Sequence, residues 1–262
     1  MRGRMWGRAS IAACALLAGV LLLAPLGCGG GAADGGASRD TSHGEDGWSW
    51  TGEEAEEENG GETPAPADRT IYMCGRSVLG GWFDHWGWDY DPMNPVRFDG
   101  HYLVYREMDV PPGIADTAAD AARAAAGAGV RTMFFKLCFA DFTGGDEDSA
   151  RENLRVNQGI IRDVVESAVE EEGLTLILGN ALPMVREYTD EWLVWNHREY
   201  NRFLEELAVD YGGRVIILDL YGTLAAPEGW LLPRYASDPY DSHLSGAAYD
   251  ALDSELEEVL GG

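Results

Sequence analysis

The chain has 262 residues, 45% of them hydrophobic and 10% aromatic, enough for one substantial core plus extensions. Its 45 acidic residues outnumber 19 basic ones, for a formal net charge of -26. A surface of that sign repels a phosphate backbone, so DNA and RNA are excluded as partners.

Residues 1–28 read as an export signal: Arg2, Arg4 and Arg8 form a basic start, and Ala, Leu and Val dominate from Ile11 to Leu26. The segment ends in Ala24-Pro25-Leu26-Gly27-Cys28, which resembles the lipobox of bacterial lipoproteins. That resemblance implies a lipid on Cys28 and a membrane anchor; a plainly cleaved signal and an uncleaved anchor are the alternatives. Under each of them the remainder lies outside the cytoplasm. Residues 29–68 are Gly, Ala, Asp, Glu, Ser and Thr with little apolar besides Trp48 and Trp50, and include Glu53-Glu54-Ala55-Glu56-Glu57-Glu58. Such a stretch cannot bury enough surface to offset its chain entropy and is expected to be a disordered, charge-extended tether. Of four cysteines, only Cys74 and Cys138 remain for the folded part, as one disulfide or two buried thiols.

From residue 69 onward, short apolar runs alternate with helical patterns. Strands are expected at 70–74, 102–105, 130–139, 174–178 and 214–218, and helices at 115–126, 150–172, 190–211 and 245–260. Gly173 and Gly212-Gly213 stop two of the helices. This alternation predicts an α/β domain over 69–262, with a parallel sheet, helices on both faces and any site outside the carboxyl ends of the strands.

Ser77 follows the first of these strands and precedes the glycines Gly80 and Gly81. A serine there stands at the sheet's carboxyl edge, where its hydroxyl faces solvent and its own N–H can meet a developing oxyanion. At the other end, Asp238, Asp241 and His243 precede the final helix, and an imidazole steadied by a carboxylate is the base such a serine needs. These two blocks resemble those of the SGNH (GDSL-type) hydrolase superfamily. The first reads Gly75-Arg76-Ser77 where the superfamily has Gly-Asp-Ser, and the last has Tyr240 where its Asp, three residues before the His, is usual. The resemblance implies a three-layer α/β/α fold with a parallel, flavodoxin-like sheet, and a triad of Ser77, His243 and Asp241, with Asp238 as the alternative acid. The superfamily's Gly-x-Asn-Asp block falls on Cys138-Phe139-Ala140-Asp141, where Ala140 has no amide to offer an oxyanion. Ser77 N–H remains as a donor, with Gly80, Gly81 and Asn180 as candidates to replace the missing one.

The aromatic residues after the serine admit two readings. Trp82 and Trp86, with His85, are either a platform on which a sugar ring of the substrate stacks or a core lobe beneath a loop. Arg76 either stabilises the oxyanion or grips an anionic part of the substrate, or it pairs with a carboxylate. Lys136, the sole lysine, lies in an apolar strand and is expected to meet a carboxylate or emerge at the strand's end. The acids of 141–148 lack a calcium-loop spacing and suit a helix start capped by Asp148 or Ser149, so no metal is expected; neither is a cofactor. Together these features point to an exported monomer, anchored to the membrane, that removes small acyl groups from a glycan or other small ester. Transfer of the acyl group to a second sugar, or non-catalytic binding of a glycan or envelope partner, are the alternatives.

Overall fold

Six strands form the central sheet of the computed structural model, which describes residues 65–91 and 94–261. The export segment, Cys28 and most of the acidic tether lie outside the described residues. In chain order the elements are β1 (Thr70–Gly75), α1 (Ser77–His85), β2 (Val96–Phe98), β3 (His101–Glu107), α2 (Ile114–Gly127), β4 (Thr132–Lys136) and α3 (Glu147–Val165). They continue with β5 (Thr175–Gly179), α4 (Glu191–Tyr211), β6 (Val215–Leu218), α5 (Leu220–Leu224), β7 (Ala236–Asp238), β8 (Asp241–Leu244) and α6 (Gly246–Gly261).

The sheet order is β2-β3-β1-β4-β5-β6. All neighbours are parallel except the short edge strand β2, which runs antiparallel to β3. Without that edge the order is that of a flavodoxin-like doubly wound sheet, in which the winding reverses between β1 and β4 and opens a crevice at their carboxyl ends. Strand alternation divides the core in two. Tyr72, Cys74, Met133 and Phe135 face α2, α3 and α4, whereas Ile71, Met73 and Phe134 face α1, α5 and α6. Cys74 and Cys138 point into opposite layers and are both free buried thiols, with burial pushing the Cys74 thiol up to about 12.

The strands β1, β3, β4, β5 and β6 and the helices α2, α3, α4 and α6 fall where the hydrophobic periodicity puts them, whereas β2, β7 and β8 were not expected. The helix expected over 150–172 begins earlier, because Asp146 caps it by accepting the Ser149 N–H (2.8 Å), and ends in a π-helical turn over Glu166–Glu171. The cap is therefore Asp146, and neither Asp148 nor Ser149. Gly212 ends α4 in the left-handed conformation that a glycine adopts at no steric cost.

Two helices, α1 and the short α5, were not legible as such. Ser77 is the first residue of α1, and Val78, Leu79, Trp82 and Phe83 recur on one buried face of it. That period is a helix signal, hidden by the adjacent glycines Gly80 and Gly81.

Candidate functional site

Two elements from opposite ends of the chain meet at the crevice. β1 ends in Gly75, and α1 turns back so closely over it that a Cβ at residue 75 would lie 3.0 Å from Leu79 Cδ2. Arg76 stays extended as the helix cap residue, which leaves Ser77 exposed at the first helical position. The first N–H groups of a helix have no acceptor within it, so the Ser77 N–H is open at the positive end of the helix dipole.

His243 arrives on β8. Its Nε2 lies 3.2 Å from Ser77 Oγ and its Nδ1 lies 2.6 Å from Asp241 Oδ1. Asp241 is a pure acceptor, so Nδ1 carries the ring proton and Nε2 presents its lone pair to the serine hydroxyl. The backbone N–H of His243 also donates to Asp241 Oδ1 (3.0 Å), and Ser237 Oγ donates to the other oxygen (3.4 Å). That backbone N–H first, and the imidazole second, hold the Asp241 carboxyl below its ordinary value. The two-residue spacing of acid and base follows from the strand: residues i and i+2 share one face of β8, whereas Ser242 and Leu244 point inward. Asp238 is placed otherwise. Its carboxylate accepts the Tyr240 N–H (2.9 Å) within the β7–β8 turn, and it makes no bond to His243.

What brings α6, and His243 just ahead of it, against α1 is the aromatic cluster itself. Trp82 and Trp86 donate their indole N–H groups to Asp253 Oδ1 (2.7 and 3.0 Å), and Tyr249 donates to Val78 O (3.1 Å). His85 faces Asp250 (3.2 Å). Trp82 is 1% exposed. Of the two readings of Trp82, His85 and Trp86, the substrate platform is corrected: α1 carries them into the seam with α6, where they act as a clamp.

The oxyanion candidates besides Ser77 are corrected as well. The Gly80 N–H is spent on Arg76 O (3.0 Å) inside α1. Gly81 is a contact residue, since a Cβ there would lie 2.3 Å from Tyr249 Oη. Both ends of the Asn180 amide are engaged: Nδ2 donates to Asp219 Oδ1 (2.7 Å) and Oδ1 accepts the Tyr221 N–H (2.8 Å). Asn180 therefore ties the end of β5 to the start of α5. Arg76 is taken too, because its guanidinium pairs with Asp141, whose other oxygen accepts the Cys138 N–H (2.7 Å). This pair bridges the ends of β1 and β4 directly beneath the site, so Arg76 is a structural residue there. Lys136, at the end of β4, is 2% exposed and its Nζ has no hydrogen-bond partner among the described residues. It meets neither solvent nor a bonded carboxylate, contrary to expectation. Burial lowers its pKa, with Cys138 and Asp141 opposing and Arg76 adding to the effect.

Phe139, in the turn after β4, packs edge-on against His243 (5.3 Å between ring centroids) and forms the wall of the site. Ala140 beside it is exposed and leaves that wall without a side-chain donor.

No protein-family model matches the chain, and no curated protein matches it. Solved structures do. A GDSL-like lipase from Bacteroides thetaiotaomicron aligns over 74% of this chain and 88% of its own, at 14% identity and a TM-score of 0.53. A protein of the G-D-S-L family described as lipolytic, from Desulfitobacterium hafniense, aligns over 73% of this chain and 99% of its own (15%, 0.51). A protein described as an acylhydrolase, from Bacteroides fragilis, aligns over 75% and 90% (14%, 0.50). The chain has the fold of the GDSL-type, or SGNH, hydrolases.

Proposed function

We propose that the chain is a serine-dependent acyl ester hydrolase. The observation that carries this reading is the hydrogen-bonded series Ser77–His243–Asp241, with contacts of 3.2 and 2.6 Å, on an exposed edge of a sheet of this fold. Ser77 Oγ attacks the ester carbonyl while His243 Nε2 takes its proton; Asp241 stabilises the imidazolium that forms. The tetrahedral oxyanion is met by the Ser77 N–H at the start of α1. His243 then returns the proton to the departing alcohol, and water, activated by the same imidazole, releases the acid. Ala140 leaves this oxyanion one side-chain donor short, and a donor of that kind contributes roughly 3 kcal/mol to catalysis in other hydrolases, so a slow enzyme is expected.

Phe139, packed edge-on against His243, brings a phenyl ring up to the acyl-transfer residues, which favours a short acyl group such as acetyl. With an alcohol in place of water the same residues would transfer the acyl group, and product analysis with and without an added acceptor sugar separates the two. The basic and apolar character of residues 1–28 supports an exported protein carrying its anchor on Cys28. A fluorophosphonate probe tests the chemistry: the wild type is labelled, and Ser77→Ala abolishes labelling and p-nitrophenyl acetate hydrolysis together. A well-folded wild type that takes no label is a binding protein on this fold.

A further inference from the structure

An open groove is linked to the site through the backbone that follows β5. The Val185 N–H donates to Ser242 Oγ (3.1 Å), next to His243, and Met184 O accepts the Leu231 N–H (2.7 Å), next to Trp230. The backbone of residues 184–185 thus joins the imidazole's strand to an open groove of about 470 Å³, a volume within the range of roughly 300–1,000 Å³ that small-molecule sites occupy. Its walls include the indoles of Trp195 and Trp230, and its rim includes Glu191, Arg198, Glu199 and Glu228.

Both indoles are held from behind. The Arg151 guanidinium lies 4.8 Å from the Trp195 ring centroid and that of Arg186 lies 5.0 Å from Trp230, and neither arginine lines the groove. The rings are thereby oriented before a ligand arrives, which reduces the ordering cost of binding. On the rim, Glu199 pairs with Arg202 and one Arg198 nitrogen donates to Pro227 O. Glu191 and Glu228 are exposed and have no partner among the described residues.

We infer that this groove binds an uncharged sugar ring of the substrate, an inference that deepens the hydrolase reading and rests on it. Sugar C–H faces are apolar and suit flat indoles, while hydroxyl hydrogens find acceptors in Glu191 and Glu228 and hydroxyl oxygens find a donor in Arg198. An acidic polysaccharide is repelled by these carboxylates and by the net charge of -26. An alkyl chain would strip water from the rim carboxylates without replacing their hydrogen bonds. The groove therefore supplies the aromatic platform that Trp82 and Trp86 do not, one loop away from the acyl-transfer residues.

The test uses the full chain with Ser77→Ala, which holds a substrate without turning it over, titrated with xylotetraose, cellotetraose and tetra-N-acetylchitotetraose by calorimetry and tryptophan fluorescence. At least one binds, and Trp230→Ala in that background weakens it about tenfold, or roughly 1.4 kcal/mol. Glu228→Gln, on the exposed rim where folding is not at stake, weakens it about threefold, as the loss of one charge-assisted hydrogen bond in a wet site would. If a fluorophosphonate fails to label the wild type while sugar binding and its loss in Trp230→Ala persist, the hydrolase reading falls and the groove stands. If the probe labels the serine and no sugar binds, or binding ignores both substitutions, the groove inference is overturned and the hydrolase reading stands. Choline binding more tightly than every sugar overturns it as well, since the pocket would then be a cation site.

Discussion

Replacing Asp141 by Asn removes the carboxylate that pairs with Arg76 and lies near the Lys136 amine at the base of the site. The Asp141 side chain is 3% exposed and Arg76 is 16% exposed, so the pair is largely desolvated, and the Lys136 amine nearby has no bonded partner. Removing one member of a buried pair costs about 3–5 kcal/mol, mostly because the other charge is left uncompensated. Arg76 keeps some solvent and Asn can still accept the Cys138 N–H, so the lower end, about 3 kcal/mol, is expected. For a folded unit of about 200 residues that corresponds to a melting-temperature loss of roughly 6–12 °C. Circular-dichroism melts and urea titrations measure it. Arg76→Met combined with Asp141→Asn removes the stranded cation while keeping the acceptor for Cys138, and should recover most of the loss in a double-mutant cycle. An Asp141→Asn protein within about 0.5 kcal/mol of wild type, or a double variant as unstable as the single one, would refute the claim that this pair is a buried electrostatic brace.

Lys136→Met tests the orphan amine. Burial holds its pKa below the ordinary 10.5, so the unfolded chain binds this proton more readily than the folded one. The resulting penalty on the native state is full below the lowered folded value and fades as pH rises towards 10.5. The Met variant should melt higher than wild type at neutral pH, with a gain that shrinks in alkaline buffer; a variant less stable at neutral pH contradicts this. Gly81→Ala places a methyl 2.3 Å from Tyr249 Oη in the α1–α6 seam, an overpacking expected to cost about 1–3 kcal/mol. Tyr249→Phe in the same protein should return part of that, and strictly additive losses in denaturant titrations would show that the seam is not packed as described.

The main strands and four of the helices were legible because a period of 2 or 3.6 in hydrophobicity reports which side of an element is buried, whatever it is buried against. The same rule puts Asp241 and His243 on one face only once β8 is known to be a strand, which the sequence reading of a loop ahead of the final helix did not anticipate. It gave no help with Asp238, which has the same chemistry but sits in a turn where its oxygen is consumed by the Tyr240 N–H. Nor could composition tell a tryptophan that stacks on a ligand from one that ties two helices. Trp82 and Trp86 donate to Asp253, 171 and 167 residues further along, and no local pattern records such a partner.

What the sequence determined by itself was the alternating architecture, the edge of the sheet on which chemistry would lie, and two residues suited to it. Only the tertiary structure decided that Ser77 and His243, separated by 166 positions, stand 3.2 Å apart. It also decided that Arg76, Asn180 and the α1 aromatics are taken up in structural contacts, and that Trp195 and Trp230 line an open groove. The physical reason is range: periodicity, caps and turns are interactions within a few residues, whereas a side chain's role follows from which distant polar group takes its hydrogen bond, and that is fixed only when the layers close.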